Sequence, residues 1–233
     1  MIVELTVGLI LTIVNYFGEL LTEKIKAHSR SKMISFGAGI SISYLFLLLL
    51  PDLYEGVSVI NKVIFIYILF GFSVFHALEK HIYQHVDRER LHIELKEAHS
   101  LAFFIYHFTL GLVAVRLFAV NIFSGILFFI PITFHTLVSG VSMEEIHYKI
   151  KERTIIRFLL SLAPLAGVLF GLTVNISQIV FFMILAFIIG AFVYITIRDI
   201  LPKEKKGYLE YFLTGVIFYS IAIVAVWFFT GNF

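Results

Sequence analysis

Apolar runs of about 16 to 22 residues recur from one end of the chain to the other, and short polar stretches separate them. A helix needs about 20 apolar residues to cross the hydrocarbon core of a bilayer. The runs predict eight membrane-spanning helices, at about 2–22, 33–51, 61–79, 101–118, 121–142, 156–173, 177–197 and 209–230. The fold class expected is therefore an all-α membrane protein. The first run has no basic residues before it and no small-residue cleavage site after it, so it reads as a span rather than a signal peptide.

Charge placement tests this count. Lys24, Lys26, Arg30 and Lys32 lie between the first two spans, and Lys80, Arg88, Arg90 and Lys96 follow the third. Lys149, Lys151, Arg153 and Arg157 follow the fifth, and Arg198, Lys203, Lys205 and Lys206 follow the seventh. The other side holds only Lys62 and Arg116, so 16 of the 18 basic residues share one face. Basic loops stay in the cytoplasm, which predicts a multi-pass protein of the cell membrane with its N- and C-termini outside.

Composition narrows the picture. The chain is 60% hydrophobic, above the roughly 45–50% of soluble domains, which leaves one transmembrane domain over 1–233. Its 26 Phe and 15 Gly suit lipid-facing bulk and close helix contacts. With no Cys, disulfides, thiolate metal sites and haem thioether links are excluded. The net charge of +2 gives no reason to expect a nucleic-acid partner; the partner expected is the lipid bilayer, and a homodimer is open.

Spans two and seven share a pattern. Gly39 precedes Pro51 by 12 positions, Gly190 precedes Pro202 by 12, and each run carries a mid-span tyrosine, Tyr44 or Tyr194. The two spans run in opposite directions, which suggests an inverted repeat of spans one to three and six to eight around spans four and five. Such repeats hold transporter sites near the membrane midplane.

Two imidazoles sit inside spans. His107 lies about 12 residues before the loop joining spans four and five, and His135 about 15 after it. At about 1.5 Å per residue they are level within roughly 5 Å. Titratable groups inside a membrane usually serve function. Pro131 removes a backbone donor one turn before His135 and frees a carbonyl. Thr133, Thr136 and Ser139 surround His135 with hydroxyls, Thr109 adds one near His107, and Gly111 and Gly140 permit close helix approach. One reading is a polar cavity that holds a borderline dication such as zinc, with help from Tyr106, Tyr194, Asp199, Ser139 or water, because zinc takes three or four ligands. The other is that each ring bonds a neighbouring helix and specifies packing. Asp199, beside Arg198, also reads as a solvated carboxylate, and His76 with Glu79 as an interfacial pair. The segment 79–100 carries His81, His85, Glu89, His92 and His99 without Gly or Pro. One helical face could present His81, His85 and His92 to a metal; a solvated charged helix is the alternative.

These pieces together resemble the ZIP (Zrt/Irt-like) family of divalent-metal transporters over nearly the whole length. "SYLFLLLLPDLYEG" looks like the family's span-two end, "HALEKHIYQH" like its span-three exit into a His-bearing loop, "SLAPLAGVLFGL" like its span six and "GAFVYITIRDILPKE" like its span seven. The resemblance implies eight helices in a 3+2+3 bundle and a metal site in the transport path. In the family, span four carries His-Asn-x-x-(Asp/Glu)-Gly and span five His-Glu-x-Pro-(Glu/His)-Gly. Here, aligned on Gly111, span four reads Tyr106-His107-Phe108-Thr109-Leu110-Gly111. Aligned on Gly140, span five reads His135-Thr136-Leu137-Val138-Ser139-Gly140, keeping only its histidine. The family's span-two histidine is Leu48, and Asp199 stands near its acidic position in span seven. No carboxylate remains mid-span in four and five to compensate a dication.

The function expected is carriage of a divalent metal cation, zinc or similar, as substrate, through a site of His107, His135, Tyr106, Ser139 and Asp199 between helices four and five. No cofactor is required and no enzyme activity is expected. Alternatives are a transport-dead ZIP-fold protein acting as a metal-binding or regulatory module through its cytoplasmic His segment, or a carrier of a different solute with His as proton carrier.

Overall fold

The computed structural model describes residues 2–24, 27–85, 88–144, 150–200 and 207–230, and the side chains of 2–18, 28–85, 100–137, 154–198 and 207–229. Among the described residues the chain is helix and turn, without strands. In order these are α1 (Ile2–Lys24), α2 (Ala27–Tyr44), a π-helical turn (Leu45–Leu49), α3 (Leu50–Glu55), α4 (Val57–Ile60), α5 (Ile64–His85) and α6 (Arg88–Val120). There follow α7 (Ile122–Glu144), α8 (Ile150–Ser161), α9 (Ala163–Thr173), α10 (Gln178–Ile195), a second π-helical turn (Thr196–Ile200) and α11 (Leu209–Thr230). Among the described residues six helical stretches are long and apolar enough to cross a membrane: His28–Ile60, Ile64–His85, Ser100–Val120, Thr154–Thr173, Gln178–Arg198 and Leu209–Phe229. Among the described side chains, the apolar stretches Ile2–Gly18 of α1 and Ile122–Leu137 of α7 occupy the places of the first and fifth expected spans.

Prolines shape the helices locally. Pro51 has no N–H, and its ring crowds the carbonyl four residues back. The preceding turn widens, so that the Leu50 N–H bonds the Leu45 carbonyl, and the helix continues through the proline. The segment 196–200 widens in the same way, two residues before Pro202 in sequence. Pro164 has the opposite effect, opening α9 just after a turn at Leu162, so the expected sixth span is two helices. In the polar segment 79–100, His81 and His85 lie on α5 and His92 on α6.

Helix pairing follows small residues. The most extensive contacts join α5 to α10, α2 to α11 and α6 to α9. Each has a glycine where no Cβ fits. A methyl at Gly39 would fall on the Phe212 carbonyl and the Val216 nitrogen of α11, and one at Gly190 on the Ile68 carbonyl and the Phe72 nitrogen of α5. Gly111 of α6 meets the Pro164 carbonyl, whereas Gly140 lies outside the described side chains. α7 touches α1, α2, α6 and the second π-helical turn, which places it in the middle of the bundle.

Candidate functional site

His107 is 2% exposed and His135 1% exposed, so both rings face the interior rather than lipid. The His107 Nδ1–H donates to the Phe103 carbonyl one turn back at 2.9 Å, and the Phe103 ring covers the imidazole at 3.8 Å between centroids. That bond fixes the neutral tautomer and leaves a lone pair on Nε2. Nε2 faces the Thr136 hydroxyl of α7 at 3.4 Å. The expected equal depth of the two helices is therefore met, since Thr136 follows His135 directly.

His135 differs. Neither of its ring nitrogens has a hydrogen-bond partner among the described residues. Its ring lies between Phe192 of α10, at 5.0 Å, and Tyr106 of α6, at 5.4 Å. Tyr106 also stands edge-on to His107 at 5.2 Å, so one phenol ring touches both imidazoles. The Tyr106 hydroxyl is buried and without a partner as well. A buried polar group in a membrane interior that bonds nothing costs about 1–3 kcal/mol or more. Here three such atoms, the two His135 nitrogens and the Tyr106 oxygen, belong to side chains in ring contact.

More polar atoms without a partner among the described residues lie on the helices around α7. They belong to Thr12 and Asn15 of α1, Ser41 of α2 and Thr196 in the second π-helical turn. Sequence reasoning passed over all four, because a single hydroxyl or amide within an apolar run carries no signal of which way it turns.

Other expected contributors sit elsewhere. The Tyr194 hydroxyl donates to Glu79 of α5, and Glu79 also pairs with Arg198. This ties α5 to α10 and directs Tyr194 away from the imidazoles. His76 belongs to the same cluster, edge-on to Tyr194 at 5.8 Å. Pro131 does free a carbonyl, that of Leu127, and the Tyr219 hydroxyl of α11 accepts the role of donor to it rather than a cavity doing so. The side chains of Ser139, Asp199 and His92 lie outside the described ones. His81 and His85 stack at 4.4 Å on the exposed face of α5, with His85 Nδ1 on the His81 carbonyl at 3.0 Å. Among the described residues no three His, Asp or Glu side chains gather closely enough to hold a metal.

No family model matches the sequence, and no curated protein matches it.

Proposed function

We propose that this chain is an eight-span, ZIP-like carrier of a divalent cation, zinc or a chemically similar ion, with both termini outside the cell membrane and the ion held between α6 and α7. The observation that carries the reading is His135: a buried imidazole whose two nitrogens have no partner among the described residues, in contact with a tyrosine whose hydroxyl has none there either. A dication would take the lone pair of one His135 nitrogen and that of His107 Nε2. The Tyr106 and Thr136 oxygens, water, and the Ser139 and Asp199 side chains are the further donors a zinc shell of three or four ligands calls for. The backbone bond that orients His107 is the kind of outer support that fixes a metal-ligating ring.

The pairing of helices supports the inverted-repeat part of this reading. Gly39 of α2 packs on Phe212 and Val216 of α11, while Gly190 of α10 packs on Ile68 and Phe72 of α5. Each pair joins a first-half helix to a second-half helix, and each glycine precedes its π-helical turn by the same interval, Gly39 to Leu45 and Gly190 to Thr196.

The test is flux into proteoliposomes over a panel of divalent ions, with metal analysis of the purified protein. Replacing both His107→Ala and His135→Ala is expected to abolish binding and uptake together; uptake at the wild-type rate in that double variant overturns the proposal. One observation favours a second reading, in which the chain binds metal without transport. The His81 and His85 rings stack on each other, both exposed, with His85 Nδ1 taken by the His81 carbonyl. Binding that disappears on deleting residues 81–99, with no flux for any ion, would establish that reading instead.

A further inference from the structure

At the opposite end of the bundle from the His81–His85 pair, a pocket of about 80 Å³ opens where α2 and α3 meet the ends of α6 and α11 and the start of α7. Its polar lining is Tyr44, Asp52, Asn121, Ser124 and Trp227, and Phe128 contributes to its wall. Asp52, Asn121 and Ser124 are half-buried, so they meet both protein and solvent. Asp52 forms no ion pair with any described residue, and Glu55, three positions on, is exposed and outside the lining. The Asn121 Oδ1 accepts from the Phe123 N–H at 2.8 Å, which caps the start of α7 and holds the amide still while leaving that oxygen a second lone pair.

We propose that this pocket binds a hard monovalent cation of the sodium class. Three features select that ligand. Every acceptor in the lining is oxygen, as carboxylate, amide or hydroxyl; His, Cys and Met are absent from it. Oxygen donors select hard cations over zinc-like ones. One carboxylate compensates one positive charge, and a dication would keep an unmatched charge in a site walled by Leu48, Leu127 and Phe128. The volume admits an ion with part of its water, since about 10–15 Å³ of such space holds one water.

The pocket is separate from the imidazole site, and the proposal stands whether or not the His pair binds metal. Tyr44 forms its floor and packs edge-on against Phe128, Phe192 and Tyr219 at 6.1, 6.0 and 6.5 Å. Phe192 in turn covers His135. A layer of aromatic rings therefore lies between an oxygen-lined pocket and a nitrogen-lined interior.

The chain's single tryptophan, Trp227, lines the pocket and reports on it directly. Purified full-length protein in detergent is titrated with NaCl against N-methylglucamine chloride at constant ionic strength and pH, and the fluorescence of Trp227 is followed. KCl, MgCl2 and ZnCl2 series run in parallel. A saturable response to sodium is expected, weakened at least tenfold by Asp52→Asn and severalfold by Ser124→Ala, and unchanged by His107→Ala with His135→Ala. Sodium-23 line broadening by the wild-type protein, competed by unlabelled lithium, gives a readout that does not depend on a variant folding. Neither a fluorescence nor a line-width response to sodium overturns the proposal. So does a response to magnesium or zinc at lower concentration than to sodium, a response to pH alone, or a sodium response of undiminished affinity in Asp52→Asn.

Discussion

His135 carries a desolvation cost that nothing among the described residues offsets. Its two nitrogens have left water and bonded nothing among the described residues, and removing an unsatisfied buried polar group is worth about 1–3 kcal/mol. His135→Leu, close in volume and fully apolar, is therefore expected to raise thermal stability in metal-free detergent by roughly that amount while abolishing zinc binding. A lower melting temperature would mean that the ring has a structural partner, and the site argument would fall with it. Thr136 makes the complementary prediction. Its hydroxyl faces His107 Nε2, so Thr136→Val leaves the packing in place and takes away one oxygen. Zinc affinity, read by competition with a chromogenic chelator, should drop about tenfold or more, the usual effect of losing an orienting partner or weak ligand. At this scale the sequence was partly legible. A histidine inside an apolar run stands out, and counting residues from a shared loop sets its depth. Tyr106 was weighed only as an extra donor, and its placement against both rings depends on side-chain direction that residue spacing does not fix.

Helix contacts decide the sign of a single substitution. Alanine is favoured over glycine in a helix by about 1 kcal/mol, so Gly→Ala is stabilising wherever the methyl has space. At Gly18 the methyl would meet the flexible end of Leu137 at 3.3 Å, and Gly18→Ala is expected to be neutral or slightly stabilising. At Gly190 it would fall on backbone, the Ile68 carbonyl and the Phe72 nitrogen, neither of which can rotate away. Gly190→Ala is expected to push α10 off α5 and lower stability by about 1–3 kcal/mol, as overpacking does. Equal melting temperatures for the two variants would sink the contact. The repeated Gly-Pro spacing pointed to both glycines, yet their partners, α11 for α2 and α5 for α10, come from segments far apart in the chain and are invisible to a local pattern. The widened turns before Pro51 and Pro202 were half visible: a proline forbids the regular bond, but the helix has the choice of ending or widening. It ends before Pro164, where the chain turns at Leu162, and widens before Pro51, where α2 is held against α11 on one side and the bundle core on the other.

Across the whole molecule, charge and hydropathy carried most of what could be read. The alternation of basic and non-basic loops needs only residue counts, and six of the expected spans have helices of full apolar length. The first and fifth expected spans fall on α1 and α7, which are 23 residues long each. The asymmetry of 16 basic residues against 2 makes the orientation testable, and the absence of cysteine makes the test clean, since any introduced thiol is the only one present. Lys62, in the turn before α5, and His81, near that helix's other end, are both exposed. Nineteen positions, nearly all of them helical, separate them by about 30 Å, the thickness of the hydrocarbon core. Lys62→Cys should react with a membrane-impermeant maleimide on intact cells, and His81→Cys only after permeabilisation. Labelling of both on intact cells would remove α5 as a span and break the alternation everywhere downstream of it. The reverse pattern would keep every helix in place and turn the protein over, putting the Asp52 pocket in the cytoplasm, where sodium is scarce and potassium abundant; the pocket's preference between those two ions would then become the quantity to measure first.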